Sequence, residues 1–175
     1  MSDEVDYDAP DHCTVGVIGE VGHRLFLFYV RQGINETTVK VEKQQVSVLA
    51  SYLGRIVKEL GRPGHLPDDL TYYGSEDPEW VVGTIGVSYD EEIDRVVIVL
   101  EEVGSGDDED DALVDEDESG HVLRIALTRE QAAAFAIHAT RLVEAGRPPC
   151  PLCGLPLDPA GHDCPRTNGH RPPVT

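Results

Sequence analysis

Positive charge is scarce in this sequence. Lysine and arginine together number 14 against 33 aspartates and glutamates, for a formal charge of −19, and only three are lysines (Lys40, Lys43, Lys58). Nucleic acid and anionic lipid surfaces are gripped by basic patches that displace counterions. So few bases make neither the expected partner, although Arg147, Arg166 and Arg171 lend the carboxyl end a little positive charge. No apolar run approaches the roughly 18 residues a membrane span needs. The opening Met1-Ser2-Asp3-Glu4-Val5-Asp6 lacks the basic-then-apolar order of a secretion signal. A cytoplasmic protein is therefore expected, whose four cysteines serve as thiols or ligands rather than disulfides. Phosphate loop, dinucleotide fingerprint and serine nucleophile elbow are all missing.

What is present suits a folded chain: 40% of the 175 residues are hydrophobic. Nine of the acids fall between Asp107 and Glu118, and 24 acids against 14 bases remain without them. Within that run Asp107, Glu109, Asp111, Asp115 and Glu118 match the ligand positions of a calcium-binding EF-hand loop. Ala112 stands where the loop's sharp turn needs glycine, and expected strands rather than helices flank it. The run reads first as a solvated acidic loop.

Two stretches repeat one order of elements. Alternating runs at His12–Ile18, Arg24–Arg31 and Thr37–Val41 read as strands. A helix from about Lys43 to Leu60 follows, with Val46, Leu49, Leu53, Ile56, Val57 and Leu60 on one stripe. In the second stretch Trp80–Tyr89, Ile93–Val103 and Val122–Leu127 read as strands around an Asp90-Glu91-Glu92 turn. Thr128-Arg129-Glu130-Gln131 is a capping box opening a helix to about Ala145, whose buried face is Ala132, Phe135, Ala136, Ala139, Leu142 and Val143. Gly146-Arg147-Pro148 after it echoes Gly61-Arg62-Pro63. Each unit alone leaves a sheet face and a helix stripe wet, so the two should pack together.

The expected fold is α+β: two βββα-like units forming antiparallel sheets with two packed helices, plus a small zinc-knuckle or ribbon-like tail. Residues 1–10 are expected to be disordered, 11–63 to form the first unit, 64–78 a polar surface connection and 79–147 the second unit, with an acidic loop at 104–120. Residues 148–170 make the zinc-binding tail, and 171–175 a disordered end.

The tail carries the sharpest chemistry. Cys150-Pro151-Leu152-Cys153-Gly154 has the form of a zinc knuckle: two residues between the thiols bring both sulfurs to one ion, and glycine lets the backbone curl so that amides point at thiolate. Eight residues on, His162 and Cys164 share one face of an extended segment. Three thiolates and an imidazole close a tetrahedron around Zn2+, which marks a structural site; His170 is the alternative fourth ligand. The competing reading is a redox dithiol at Cys150 and Cys153, but Gly154 and Pro156 leave no room for the helix such a motif uses.

Other candidates are thinner. His12 and Cys13 are adjacent strand residues and face opposite ways, and His23, His65, His121 and His138 have no matching partners. Glu42-Lys43-Gln44-Gln45 is a polar cluster at a helix start, which capping and dipole compensation explain. With Arg24 it is the candidate site of an enzyme working between the two units.

Gly16-x-x-Gly19-x-x-Gly22-x-Arg24-x-Phe26, Glu42-Lys43-Gln44-Gln45-Val46, Trp80-x-Val82-Gly83 and the tail from Cys150 through Gly161-His162-Asp163-Cys164-Pro165-Arg166-Thr167-Asn168-Gly169 occur in this order. As a set they resemble an uncharacterised family of actinobacterial proteins, a domain of unknown function, over nearly the whole chain. The resemblance implies a cytoplasmic protein without established activity and favours His162 over His170, while the Asp107–Glu118 run looks like a local elaboration. The functional expectation is a non-enzymatic, zinc-stabilised interaction or regulatory protein with a protein partner. An enzyme using Arg24, Glu42, Lys43 and Gln45, or a Cys150/Cys153 redox protein, are the alternatives.

Overall fold

A computed structural model describes residues 4–20, 23–61, 63–104, 120–146, 150–155, 157 and 164–166. In chain order the elements are β1 (Glu4–Tyr7), β2 (His12–Ile18), β3 (Leu25–Gln32), β4 (Asn35–Val41), α1 (Lys43–Leu60), β5 (Val82–Asp90), β6 (Arg95–Glu102), β7 (Val122–Leu127) and α2 (Arg129–Glu144). The fold is α+β, with βββα twice in succession after an added first strand. One sheet runs β2-β3-β4 and is antiparallel; the other runs β1-β7-β6-β5. The acidic run lies at residues 105–119, outside the described residues.

Period-two alternation decides what each strand buries. Cys13 and Val15 of β2, Phe26, Phe28 and Val30 of β3, and Val39 and Val41 of β4 face the core. Val96, Ile98 and Leu100 of β6 and Leu123, Ile125 and Leu127 of β7 do the same in the second sheet. Both helices enter this core, α1 through Val46, Leu49, Ala50, Leu53 and Val57. In α2 the buried set is wider than one stripe, because Ala133 and Ala134 join Ala132, Phe135, Ala136, Ala139 and Val143. Small side chains let α1 pack close on one flank while His138 Nε2 lies 2.9 Å from Val15 O of β2 on another.

Two expectations need correction. Residues 1–10 do not lack structure throughout: Glu4–Tyr7 pairs in parallel with Val122–Ile125, which makes the second sheet mixed. Its acidic sequence hides the strand, but Arg124 on the neighbouring strand reaches Asp8 at 3.3 Å and Asp6 at 3.9 Å. Tyr7, whose hydroxyl shares a 3.0 Å hydrogen bond with Thr37 Oγ1, pins the strand end in the core. Trp80 and Ile93 stand outside the strands expected to hold them. The Trp80 carbonyl instead accepts Lys40 N at 2.9 Å, tying the chain before β5 to β4, and Ile93 lies in the β5–β6 turn.

The connection expected at 64–78 has no helix or strand and lies at the surface, but it follows a definite course. Its backbone straps across the outer face of the first sheet. Thr14 Oγ1 donates to Leu70 O at 2.8 Å, and His12 Nε2 lies 2.8 Å from Thr71 O. A Cβ on Gly16 would collide with the Tyr72 ring, and one on Gly74 would meet Thr38 Oγ1 and Tyr29 at 2.7 Å, so both close approaches depend on glycine. Asp69 accepts from Thr71 N and Tyr73 Oη, both at 2.9 Å, and hydrogen bonds from Thr71 and Tyr73 hold its carboxyl down to about 2. The strap explains why Phe26 to Val30 is buried on both faces of β3.

Arg129 closes the opposite end. From the first turn of α2 it donates to Leu60 O at the end of α1 (2.8 Å), to Asp94 Oδ1 (2.8 Å) and to Tyr89 Oη (3.1 Å). One side chain thus joins both helices to the β5–β6 turn.

Two outcomes test this architecture. Phe135→Ala should cost about 3–5 kcal/mol in urea denaturation, through lost transfer energy and a cavity beside Phe28. Burial first, and Glu36 second, push the Tyr29 phenol up to about 12. A phenol whose folded pKa is raised stabilises the fold fully below its ordinary value of about 10 and loses that contribution as pH climbs through the folded value. Melting temperature should therefore fall between about pH 10 and 12, less steeply in Tyr29→Phe than in the native chain.

Candidate metal centre

After α2 the chain reaches a tight turn built by its own sequence. Gly154 N donates to Cys150 O at 2.8 Å and Cys150 N to Leu155 O at 2.7 Å, closing the Cys150–Leu155 loop on itself. Gly154 sits at φ +73°, where a side chain is strained. The curl turns the Leu152 and Cys153 amides onto the Cys150 sulfur and the Leu155 amide onto the Cys153 sulfur. No helix follows Cys153 among the described residues, so the helix N-terminus that activates a redox dithiol is not part of the described geometry.

Cys164 completes the cluster. The sulfurs of Cys150, Cys153 and Cys164 all lie within 4.8 Å of one another, and Cys150 and Cys164 are 4.0 Å apart. A disulfide needs about 2.05 Å, whereas two thiolates on one tetrahedral zinc, each about 2.3 Å from the metal, stand roughly 3.8 Å apart. The three cysteines could hold a metal ion, and the spacing suits ligation. Cys150 and Cys164 are buried, Cys153 partly so. The Leu152 amide, ahead of its other partners, lowers the Cys150 thiol below its usual range. For Cys153 the Leu155 amide pulls down, but desolvation and the Cys150 and Cys164 sulfurs outweigh it, and that thiol is raised. One thiolate is thus favoured and the next resisted. Such crowded sulfurs suit a cation, which relieves their mutual repulsion.

His162 and His170, the two candidates for the fourth ligand, lie outside the described residues. Cys13 is not part of this set; it faces the core from β2, and burial pushes its thiol far up. His12 points to the strap on the other side of that sheet, as strand alternation requires. His65 faces Asp68 at 3.6 Å, and His121 stacks on Trp80.

The model of a family described as a protein of unknown function, DUF3090, matches residues 5–164. The chain belongs to the DUF3090 family. The match takes in all three clustered cysteines and His162, and it stops before His170. No curated protein and no solved structure matches the chain.

The polar cluster of this DUF3090 chain divides in two. Glu42 and Gln45 form a capping box at the start of α1, in which Gln45 Oε1 accepts Glu42 N at 2.8 Å. Gln45 Nε2 also donates to Val82 O and Gly83 O, both at 3.1 Å, so one amide caps a helix and fastens it to β5. Sequence spacing points to the cap; the second role depends on where β5 arrives. Arg24 and Lys43 instead meet at Gly146, beyond the end of α2. A groove of about 490 Å³ between α1 and β5 is lined by Gln44, Gln45, Val48, Tyr52, Ile85 and Val87 among others, with no carboxylate among the described residues of its wall.

Gln45→Ala should lower stability by about 1–2 kcal/mol, from a lost cap and lost hydrogen bonds to β5. Gln44→Ala, next to it and exposed, should leave the urea midpoint where it is.

Proposed function

We propose that Cys150, Cys153, Cys164 and His162 bind one structural zinc ion, and that this DUF3090 chain is a non-enzymatic interaction or regulatory protein of the cytoplasm whose zinc-folded tail engages a protein partner. The convergence of three sulfurs within 4.8 Å carries the metal reading. Softness of the ligand set favours zinc over calcium or magnesium, which take oxygen. His162 stands two residues before Cys164 and inside the family match, whereas ligation by His170 would require more chain to be ordered. Three thiolates and an imidazole leave no position for water, which argues for a folding role over catalysis. So short a tail buries little apolar surface, and metal binding can supply its folding free energy, about 10–16 kcal/mol in small zinc peptides near neutral pH.

The strong negative charge supports a protein partner over nucleic acid. The enzyme alternative would need ionisable groups gathered in a cleft between the units, whereas Glu42 and Gln45 are engaged in the α1 capping box and Arg24 and Lys43 lie apart from them at Gly146.

Native mass spectrometry of the purified protein should find one zinc per chain. Cys150→Ser, Cys164→Ser and His162→Ala should each lose it, and His170→Ala should keep it. A metal-free native protein with an ordered tail would contradict the proposal, as would full zinc content in Cys164→Ser. Zinc lost from His170→Ala but kept in His162→Ala would transfer the fourth position to His170.

A further inference from the structure

Two cations converge at Gly146 with no acid between them among the described residues. Arg24 Nη1 and Lys43 Nζ lie 3.4 and 3.2 Å from the point where a Gly146 Cβ would stand. The chain carries a charge of −19, and three of its described bases face carboxylates. Lys40 faces Glu42, Arg124 faces Asp6 and Asp8, and Arg129 faces Asp94. Arg24 and Lys43 pair with no described residue, and Arg24 Nε is shielded from solvent without a hydrogen-bond partner. A guanidinium nitrogen denied both water and acceptor is costly to keep. Two like charges brought together add repulsion, which an anion between them would reverse.

Compensation of the α2 dipole is the simpler role for two cations at a helix end. It fits poorly here. The α2 C-terminus makes its own closing bond, Ala145 N to Arg141 O at 2.9 Å, and neither cation donates to an α2 carbonyl. Gly146 matters for a different reason: any side chain there would press on both cations and fill the space they share.

We propose that Arg24 and Lys43, across the opening left by Gly146, bind a phosphoryl oxyanion carried by a small molecule. A guanidinium fork and a separate ammonium can divide three oxygens between them, and a dianion neutralises both charges, which a single carboxylate does not. The chain's charge of −19 disfavours a polyanion such as nucleic acid, which would need many more bases. This site uses none of the metal-cluster residues and does not depend on the zinc assignment.

The test is a titration of the full-length, metal-replete protein with inorganic phosphate at low ionic strength, followed through amide ¹H–¹⁵N spectra. The Gly146 amide and the Arg24 Nε–H should shift saturably. Lys43→Gln and Arg24→Gln should each weaken binding by about tenfold or more, and Gly146→Val should abolish it. Lys43 is exposed, so its variant keeps the fold and decides the matter even if Arg24→Gln does not fold. No saturable shift, native-like affinity in Lys43→Gln, or equal affinity for succinate would overturn the phosphoryl site.

Discussion

Phe28 of the first sheet and Phe135 of α2 meet with 5.3 Å between ring centroids, and the two βββα units close around that contact. Each unit brings a sheet with one apolar face and a helix with one apolar side. Neither can bury both alone, so burial is completed only when the units share a core. The shared core fixes much else. It requires α2 to pass close to both α1 and β2, which alanine at 132, 133, 134, 136 and 139 allows. It brings the start of β5 to α1, where Gln45 fastens it, and the ends of both helices to one corner, where Arg129 binds them.

The same closure accounts for the pieces outside the repeat. A three-stranded sheet packed on one side leaves its other face to water, yet β3 carries Leu27 and Tyr29 on that face. The strap through Leu70, Thr71, Tyr72 and Gly74 covers it. The edge of β7 is covered in turn by β1, drawn from the far end of the chain.

Much of this is legible in the sequence where a local pattern decides the outcome. Helix α1 follows from its apolar stripe and α2 from its capping box, and the cysteine turn follows from Cys-x-x-Cys-Gly. Features set by distant partners are not. Glu4-Val5-Asp6-Tyr7 reads as a charged end until Arg124 and Thr37 are placed beside it. Residues 64–78 read as polar loop because their hydrogen bonds use backbone carbonyls, which every residue has. Arg24 and Lys43 stand 19 positions apart and both converge on Gly146, a juxtaposition no spacing rule contains.

The tail is a different kind of structure from the body. The body holds itself by burial, whereas the Cys150–Leu155 turn and Cys164 converge through sulfur, with few apolar groups to hold them. On this account the body stands without metal and the tail does not. Hydrogen–deuterium exchange on the full-length protein, before and after a strong zinc chelator, measures that directly. Amides of the Cys150–Leu155 turn should lose protection while those of β3, β6 and α2 keep theirs. Unchanged protection at the turn, or loss of protection across the body as well, would contradict the account.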